Sequence, residues 1–305
     1  MDMELAIIGA GSAGYAAGVY AGRAGIDAVI FDAGMGGGLA VESPEIENYP
    51  AFKKINGMDL MEKMKEHAEE YAKFKFYEEV KEIKKEGNKF RIVTSKGKYG
   101  AGAVIICTGT AHRKLNAKGE KELSGRGVSY CATCDGFFFK DKDVAVIGGG
   151  NSALIEAIYL KQTGCNVSIV HRRDRLRAEK SLEVKAVDMG IKIIWDSIVE
   201  EIVGKGRVEG VKLKNIKTGE AKIMPVDGVF ISIGEAPQSE LAKKAGAKTD
   251  EHGYIKTDDM QRTNIRGIYA AGDVTGGVRQ IITACAEGAK AALMSTEVLG
   301  KMYPF

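Results

Sequence analysis

Two stretches of this chain are versions of one another. LAIIGAGSAGYAAGVYAGRAGIDAVIFD, from Leu5, and VAVIGGGNSALIEAIYLKQTGCNVSIVH, from Val144, superpose without a gap on a shift of 139 positions. Gly9 falls on Gly148, Gly11 on Gly150, Gly14 on Ala153, Gly25 on Gly164 and Asp32 on His171. Each copy reads as an apolar strand, a glycine turn, a helix, a glycine stop and a second β-branched strand. That is a βαβ unit carrying the GxGxx(G/A) spacing in strand–turn–helix context. The first glycine permits the tight turn, the second lets backbone approach a pyrophosphate, and the third position keeps helix and strand close. The first helical residues, Ser12 and Ala13 in one copy and Asn151 and Ser152 in the other, present free N–H groups to phosphate. A lone GxGxxG is weak; two in this context point to two dinucleotide sites.

The copies differ where the second strand ends. Asp32 offers a carboxylate to ribose hydroxyls and repels a 2′-phosphate. The other copy ends in HRRDRLR, residues 171–177. There Arg172, Arg173 and Arg177, beside His171, suit a 2′-phosphate through charge-assisted bonds. The first site is thus expected to hold NAD or FAD and the second NADP(H). The plainer reading of HRRDRLR is a solvated basic turn, but it stands at a predicted strand end.

CATCDG, residues 131–136, sets Cys131 two residues from Cys134. The net charge of +3 is small, so neither nucleic acid nor a membrane surface is implied as a partner. No apolar run is long enough to span a bilayer, and the N-terminus lacks a basic leader, so the cytoplasm is expected. In a reducing compartment a CxxC is catalytic or metal-binding more often than structural. Cys107, Cys165 and Cys285 are isolated and read as small buried hydrophobes, and the four histidines form no spaced pair, so no metal site is expected. FAD in the first site gives every feature one job, because a flavin takes a hydride from NADPH and passes two electrons to a disulfide.

GAVIICTGT (102–110) and DGVFISIG (227–234) read as buried strands, each closing one domain. NKFRIVTSKGKYGAGAV and GRVEGVKLKNIKTGEAKIMPVDGV alternate like meanders. Residues 59–74 read as an amphipathic helix whose core stripe is Leu60, Met64, His67, Ala68 and Tyr71. After TNIRGIYAA, a short strand, a turn at Gly272–Asp273 precedes an alanine-rich helix.

GAGSAGY, IENYP, CATCDG, GGGNSA, HRRDRLRA and AGDV…RQIITA occur in this order over nearly the whole chain. In them the sequence resembles the low-molecular-weight thioredoxin reductases, which depend on FAD and NADPH. The resemblance implies an α/β fold of two Rossmann-like dinucleotide-binding domains. An NADPH domain, 114–239, would be inserted into a discontinuous FAD domain, 1–113 and 240–305, with hinges near 112–117 and 236–243. It implies a homodimer and a thioredoxin- or glutaredoxin-like protein as disulfide partner. It sets Asp273 and Gln280 against the flavin, with Asn48 nearby; Gly109, Gly272 and Arg279 join that cofactor set. Cys134 would face the flavin, Cys131 would attack the partner disulfide, and Asp135 would donate a proton to the departing thiolate. Asp135 can also be read as a turn residue before Gly136. Two departures stand out: Gly38 where the family has glutamine, and Gln238 where asparagine is usual. A flavin-dependent thiol oxidase, or a reductase with another donor, is the alternative enzyme; it should lack the arginine cluster. A non-catalytic flavin carrier would leave the second βαβ unit unexplained.

Overall fold

The computed structural model describes residues 2–43, 46 and 48–302, without the side chains of Asp2 and Cys134. Glu47 of IENYP lies outside the described residues. By compactness the chain divides into a first unit, 1–111 with 236–305, and a second, 112–235.

The first unit opens with β1 (Asp2–Ile8), α1 (Ser12–Arg23) and β2 (Ala28–Phe31). α2 (Gly57–Glu69) and β3 (Lys73–Lys75) follow. The helix expected over 59–74 thus stops early, and its last residues form a strand pairing in parallel with β2. Leu60, Met61 and Ala68 are buried on α2, whereas His67 is exposed, edge-on to Tyr71 at 5.6 Å, so the expected stripe is off by one side chain. β4 (Val80–Glu86), β5 (Lys89–Thr94) and β6 (Lys98–Ile106) form an antiparallel meander. β6 is long enough to serve twice: its first residues pair with β5, its last with a strand from the C-terminal region.

The chain then runs through β7 (Thr110–His112) into the second unit. There β8 (Val128–Ser129), α3 (Ala132–Asp135), β9 (Asp143–Gly148), α4 (Asn151–Gln162) and β10 (Asn166–Val170) come first. α5 (Lys180–Asp188) and β11 (Lys192–Ile194) follow, then the antiparallel β12 (Ser197–Val203), β13 (Gly210–Asn215) and β14 (Ala221–Pro225), then β15 (Gly228–Ser232). The chain returns through β16 (Glu235–Pro237), which pairs with β7. α6 (Glu240–Lys244), β17 (Ile268–Ala270) and α7 (Ile281–Leu299) complete the first unit.

The repeat extends to hydrogen-bond register. Leu5 pairs with Ala28 and Val144 with Val167; Ile8 pairs with Phe31 and Ile147 with Val170. The same shift that aligns the sequences aligns the ladders. The first sheet runs β3-β2-β1-β6, with β17 parallel to β6. The second runs β11-β10-β9-β15-β8, all parallel. The central strands of both sheets are buried on two faces, which explains strands such as AVIF that are apolar at every position. Helices α1 and α7 approach closely because their facing residues are small. A Cβ at Gly288 of α7 would lie 2.1 Å from Ala13 O.

Candidate functional site

In parallel sheets, ligands bind beyond the carboxyl ends of the strands. In the first unit that edge gathers Gly9 after β1, Asp32 after β2, Gly109 after β6 and Gly272–Asp273 after β17. Gly9 has φ +105°, and a Cβ there would lie 2.2 Å from Cys107 O. Gly11 is different: a Cβ would meet only Gly38 Cα, at 4.0 Å. Packing does not demand glycine at this second position, and the space beside it leaves the backbone open to a pyrophosphate. Gly11 caps α1 without a side-chain bond, so the first-turn N–H groups stay available. Gly36, Gly37 and Gly38 all have positive φ, and Gly37 N–H donates to Ala10 O at 2.6 Å. The loop folds over the glycine turn in a conformation that glutamine at position 38 would strain. Asp32 accepts from Ala10 N–H and Gly34 N–H, both at 2.8 Å, and each oxygen keeps a further lone pair. Asn48 Nδ2 donates to Gln280 Oε1 at 2.9 Å across 232 positions, and Gln280 forms a capping box with Thr283 at the start of α7. Arg279 is exposed in the same segment. These residues fit a flavin dinucleotide: an open glycine turn, a carboxylate at the second strand end, and side-chain amides joined nearby.

At the same edge of the second sheet stand Gly148 ending β9 with Gly149 and Gly150 beyond it, His171 after β10, Ser232 ending β15 and Cys131 after β8. A Cβ at Gly150 would meet nothing within 4 Å. Asn151 and Glu179 exchange two hydrogen bonds, at 2.9 and 2.8 Å, tying α4 to the start of α5. Ser152 is exposed and Ala153 buried. His171 is buried, its Nδ1 3.0 Å from Gly148 O and its Nε2 3.0 Å from Arg175 O. Burial and the charges of Arg172 and Arg173 hold its pKa down against those two backbone bonds. Both ring nitrogens face backbone carbonyls, one of them the acceptor of its single N–H when neutral, so this side chain shapes the basic turn from inside. Arg172, Arg173 and Arg177 are exposed and pair with no described carboxylate. The acid among them, Asp174, is drawn off by Lys217 at 3.0 Å. Unpaired guanidiniums next to an open glycine turn fit a 2′-phosphate.

The β8 and β9 ends flank β15 on this edge, so the loop of Cys131 stands two strand spacings, roughly 10 Å, from the second glycine turn. Cys131 is in a disulfide, while Cys107, Cys165 and Cys285 are free; the Cys134 side chain lies outside the described residues. Burial raises the pKa of all three free thiols, Cys285 to about 11, which suits inert structural roles. Ser129 Oγ accepts the Cys131 N–H at 3.0 Å, and Thr133 Oγ1 lies 3.4 Å from Cys131 Sγ. A disulfide sulfur carries no proton, so Thr133 is the donor. Asp135 starts a 3-10 turn over Gly136–Phe139, but its side chain makes no cap bond there. Phe137 and Phe138, 76% and 69% exposed, follow at once.

Sequence reasoning missed Glu156. It lies on α4, accepts from Ser232 Oγ at 3.0 Å, and leaves its buried Oε2 without a partner. Burial pushes its pKa up to about 7, against the pull of the Ser232 bond and His112. No local pattern marks it, since Ser232 is 76 positions away. Among the described residues no group of three metal-ligating side chains gathers, and no helix is long and apolar enough to cross a membrane.

Two Rossmann-like units, one nested in the other and one carrying a disulfide beside its glycine turn, define an oxidoreductase of the nucleotide–disulfide class. The chain belongs to the pyridine nucleotide-disulphide oxidoreductase family, which it matches over residues 3–288. It is 48% identical over 289 residues to the thioredoxin reductase of Listeria monocytogenes, covering 93% of this chain and 90% of that protein. Its fold is similar to the crystal structures of the T. acidophilum and Lactococcus lactis thioredoxin reductases. The TM-scores are 0.81 and 0.83 and the identities 45% and 41%; coverage is 97% and 98% of this chain and 98% and 99% of those.

Proposed function

We propose that this enzyme is a thioredoxin-disulfide reductase that uses NADPH, FAD and a Cys131–Cys134 disulfide, and works as a cytoplasmic homodimer. The observation that carries the reading is the shared strand edge of the second unit, where the disulfide loop and an arginine-flanked glycine turn lie side by side. The identity to thioredoxin reductases supports it.

Bound FAD supplies the two-electron relay between nicotinamide and disulfide. The first unit binds it through Gly9, Gly11, Ser12, Ala13 and Gly14, with Asp32 on the ribose. Gly109, Asn48, Gly272, Asp273, Arg279 and Gln280 line the remainder of that site. In the second unit Gly148, Gly150, Asn151, Ser152 and Ala153 hold the pyrophosphate of NADPH, while Arg172, Arg173 and Arg177 hold its 2′-phosphate. Two electrons and two protons convert the disulfide to two thiols, Asp135 delivering a proton to the departing thiolate. The Cys131 thiolate then attacks one sulfur of the partner disulfide and expels the other, giving a mixed disulfide that Cys134 resolves. The apolar step formed by Phe137 and Phe138 suits a protein partner better than a small disulfide.

Nicotinamide and disulfide ride on one unit and the flavin on the other, so they take turns. The expected hinge segments are fastened within their own units. Glu120 accepts from Leu115 and Asn116 N–H, and Gln238 is bonded to Thr108, Gly109 and Thr110. Those bonds favour a turning point at β7 and β16. Anaerobic titration with NADPH tests the reading: the flavin bleaches and two thiols appear per chain. Bleaching with no new thiols refutes it.

A further inference from the structure

The Gly272–Asp273 turn is anchored by a residue that neither the glycine turns nor the CxxC account for. Glu287 Oε2 accepts the Gly272 N–H at 2.7 Å and the Thr275 hydroxyl at 3.2 Å. Thr275 N–H donates to Gly272 O at 2.9 Å, and its single hydroxyl proton is shared between Glu287 Oε2 and Gly272 O, the latter also at 2.9 Å. Gly272 itself has φ +80°, and a Cβ there would lie 3.0 Å from the Ala13 Cβ and 3.5 Å from the Ala284 Cβ. The next residue on α7, Gly288, is seated on Ala13 O. One turn of α7 thus grips the first turn of α1 with its backbone and the Gly272–Thr275 turn with a carboxylate.

We propose that Glu287 is a positioning residue of the flavin site, its carboxylate holding the Gly272–Asp273 turn in register with the first glycine turn. The proposal rests on the FAD reading given above. A neutral amide could accept the same two bonds, so the charge needs a reason. Bonds to an ionised acceptor are about twice as strong as neutral ones, and this acceptor works against burial and against Asp273, both of which raise its pKa. The charged and titratable groups facing it are Asp273 on the turn, Lys290 one helical turn on, and the Cys107 thiol beyond β6. Lys290 and the two hydrogen bonds favour the carboxylate.

The experiment measures FAD binding to flavin-stripped protein by quenching of flavin fluorescence, from pH 5 to pH 8.5. It compares wild type, Glu287→Gln, Glu287→Ala and Thr275→Val. At pH 8 Glu287→Ala should bind more than tenfold more weakly and Glu287→Gln about tenfold, the fold-change of one charge-assisted bond. Thr275→Val should lose less. The ratio of the Glu287→Gln dissociation constant to that of wild type should fall toward one as the pH drops through the raised range of Glu287. NADPH binding to the second unit, followed by nicotinamide fluorescence, should be unchanged and reports that each variant is folded. If Glu287→Ala does not fold, the Glu287→Gln ratio decides. A ratio that stays constant with pH, or equal binding in wild type and Glu287→Gln at pH 8, overturns the proposal. Wild type that binds no FAD removes the flavin reading itself.

Discussion

The ring of His171 occupies the space that a side chain at Gly149 would need. A Cβ on Gly149 would lie 2.1 Å from Nδ1 and 2.2 Å from Cε1 of His171. In the first repeat the same two positions are Ala10 and Asp32, and there the main-chain N–H of Ala10 donates to the carboxylate. The repeats solve one packing problem twice, with alanine beside a small acid or glycine beside an imidazole.

Gly149→Ala should therefore cost about 1–3 kcal/mol by overpacking, although the backbone at 149 is not in the left-handed region. NADPH binding should weaken with it. His171→Ala in the same chain should relieve the clash, making the pair strongly non-additive. A double-mutant cycle on urea midpoints checks this; additive effects would mean that the two residues do not compete for the space.

Glu156 sets a pH dependence of stability. Its folded pKa of about 7 exceeds the unfolded 4.5, so between those values the native state holds more protons. Stability from this residue is then greatest at low pH and is lost as pH rises through the window. Glu156→Gln should gain on wild type by roughly 2–3 kcal/mol between pH 4.5 and pH 8. Urea melts at both pH values give the difference, and no change in it would show that the carboxyl is solvated.

Arg172 and Arg173 should discriminate NADPH from NADH. Replacing both by alanine should raise the NADPH KM by more than tenfold, since each charge-assisted phosphate bond contributes on the order of 1.5–3 kcal/mol. NADH kinetics should barely move. Equal losses with both nucleotides would instead assign the arginines to folding.

The two cysteines should not be equivalent. Cys131→Ser should leave a thiolate at Cys134 and produce a long-wavelength absorption band with bound flavin. Cys134→Ser should lack the band yet trap a partner whose resolving cysteine is removed. Both should keep hydride transfer and lose disulfide reduction. Mass mapping of the mixed disulfide identifies the attacking sulfur; a cross-link mainly at Cys134 would reverse the assignment.

The sequence by itself determined the duplicated βαβ framework, because a shift of 139 positions that aligns glycines also preserves strand length, and strand length sets register. It determined the contrast between Asp32 and the arginines, because charge at a strand end is local information. Local periodicity could not decide where α2 stops, since 73–75 leave the helix only because the edge of β2 offers backbone partners. Nor could it tell that His171 turns inward, that Asn48 meets Gln280, or that Glu156 and Glu287 are half-buried acids. Each of those depends on which atoms the folded chain brings within about 3 Å, and Ser232 meets Glu156, Gly272 meets Glu287 and Gln280 meets Asn48 only when the strands and covering helices of each unit close over one another.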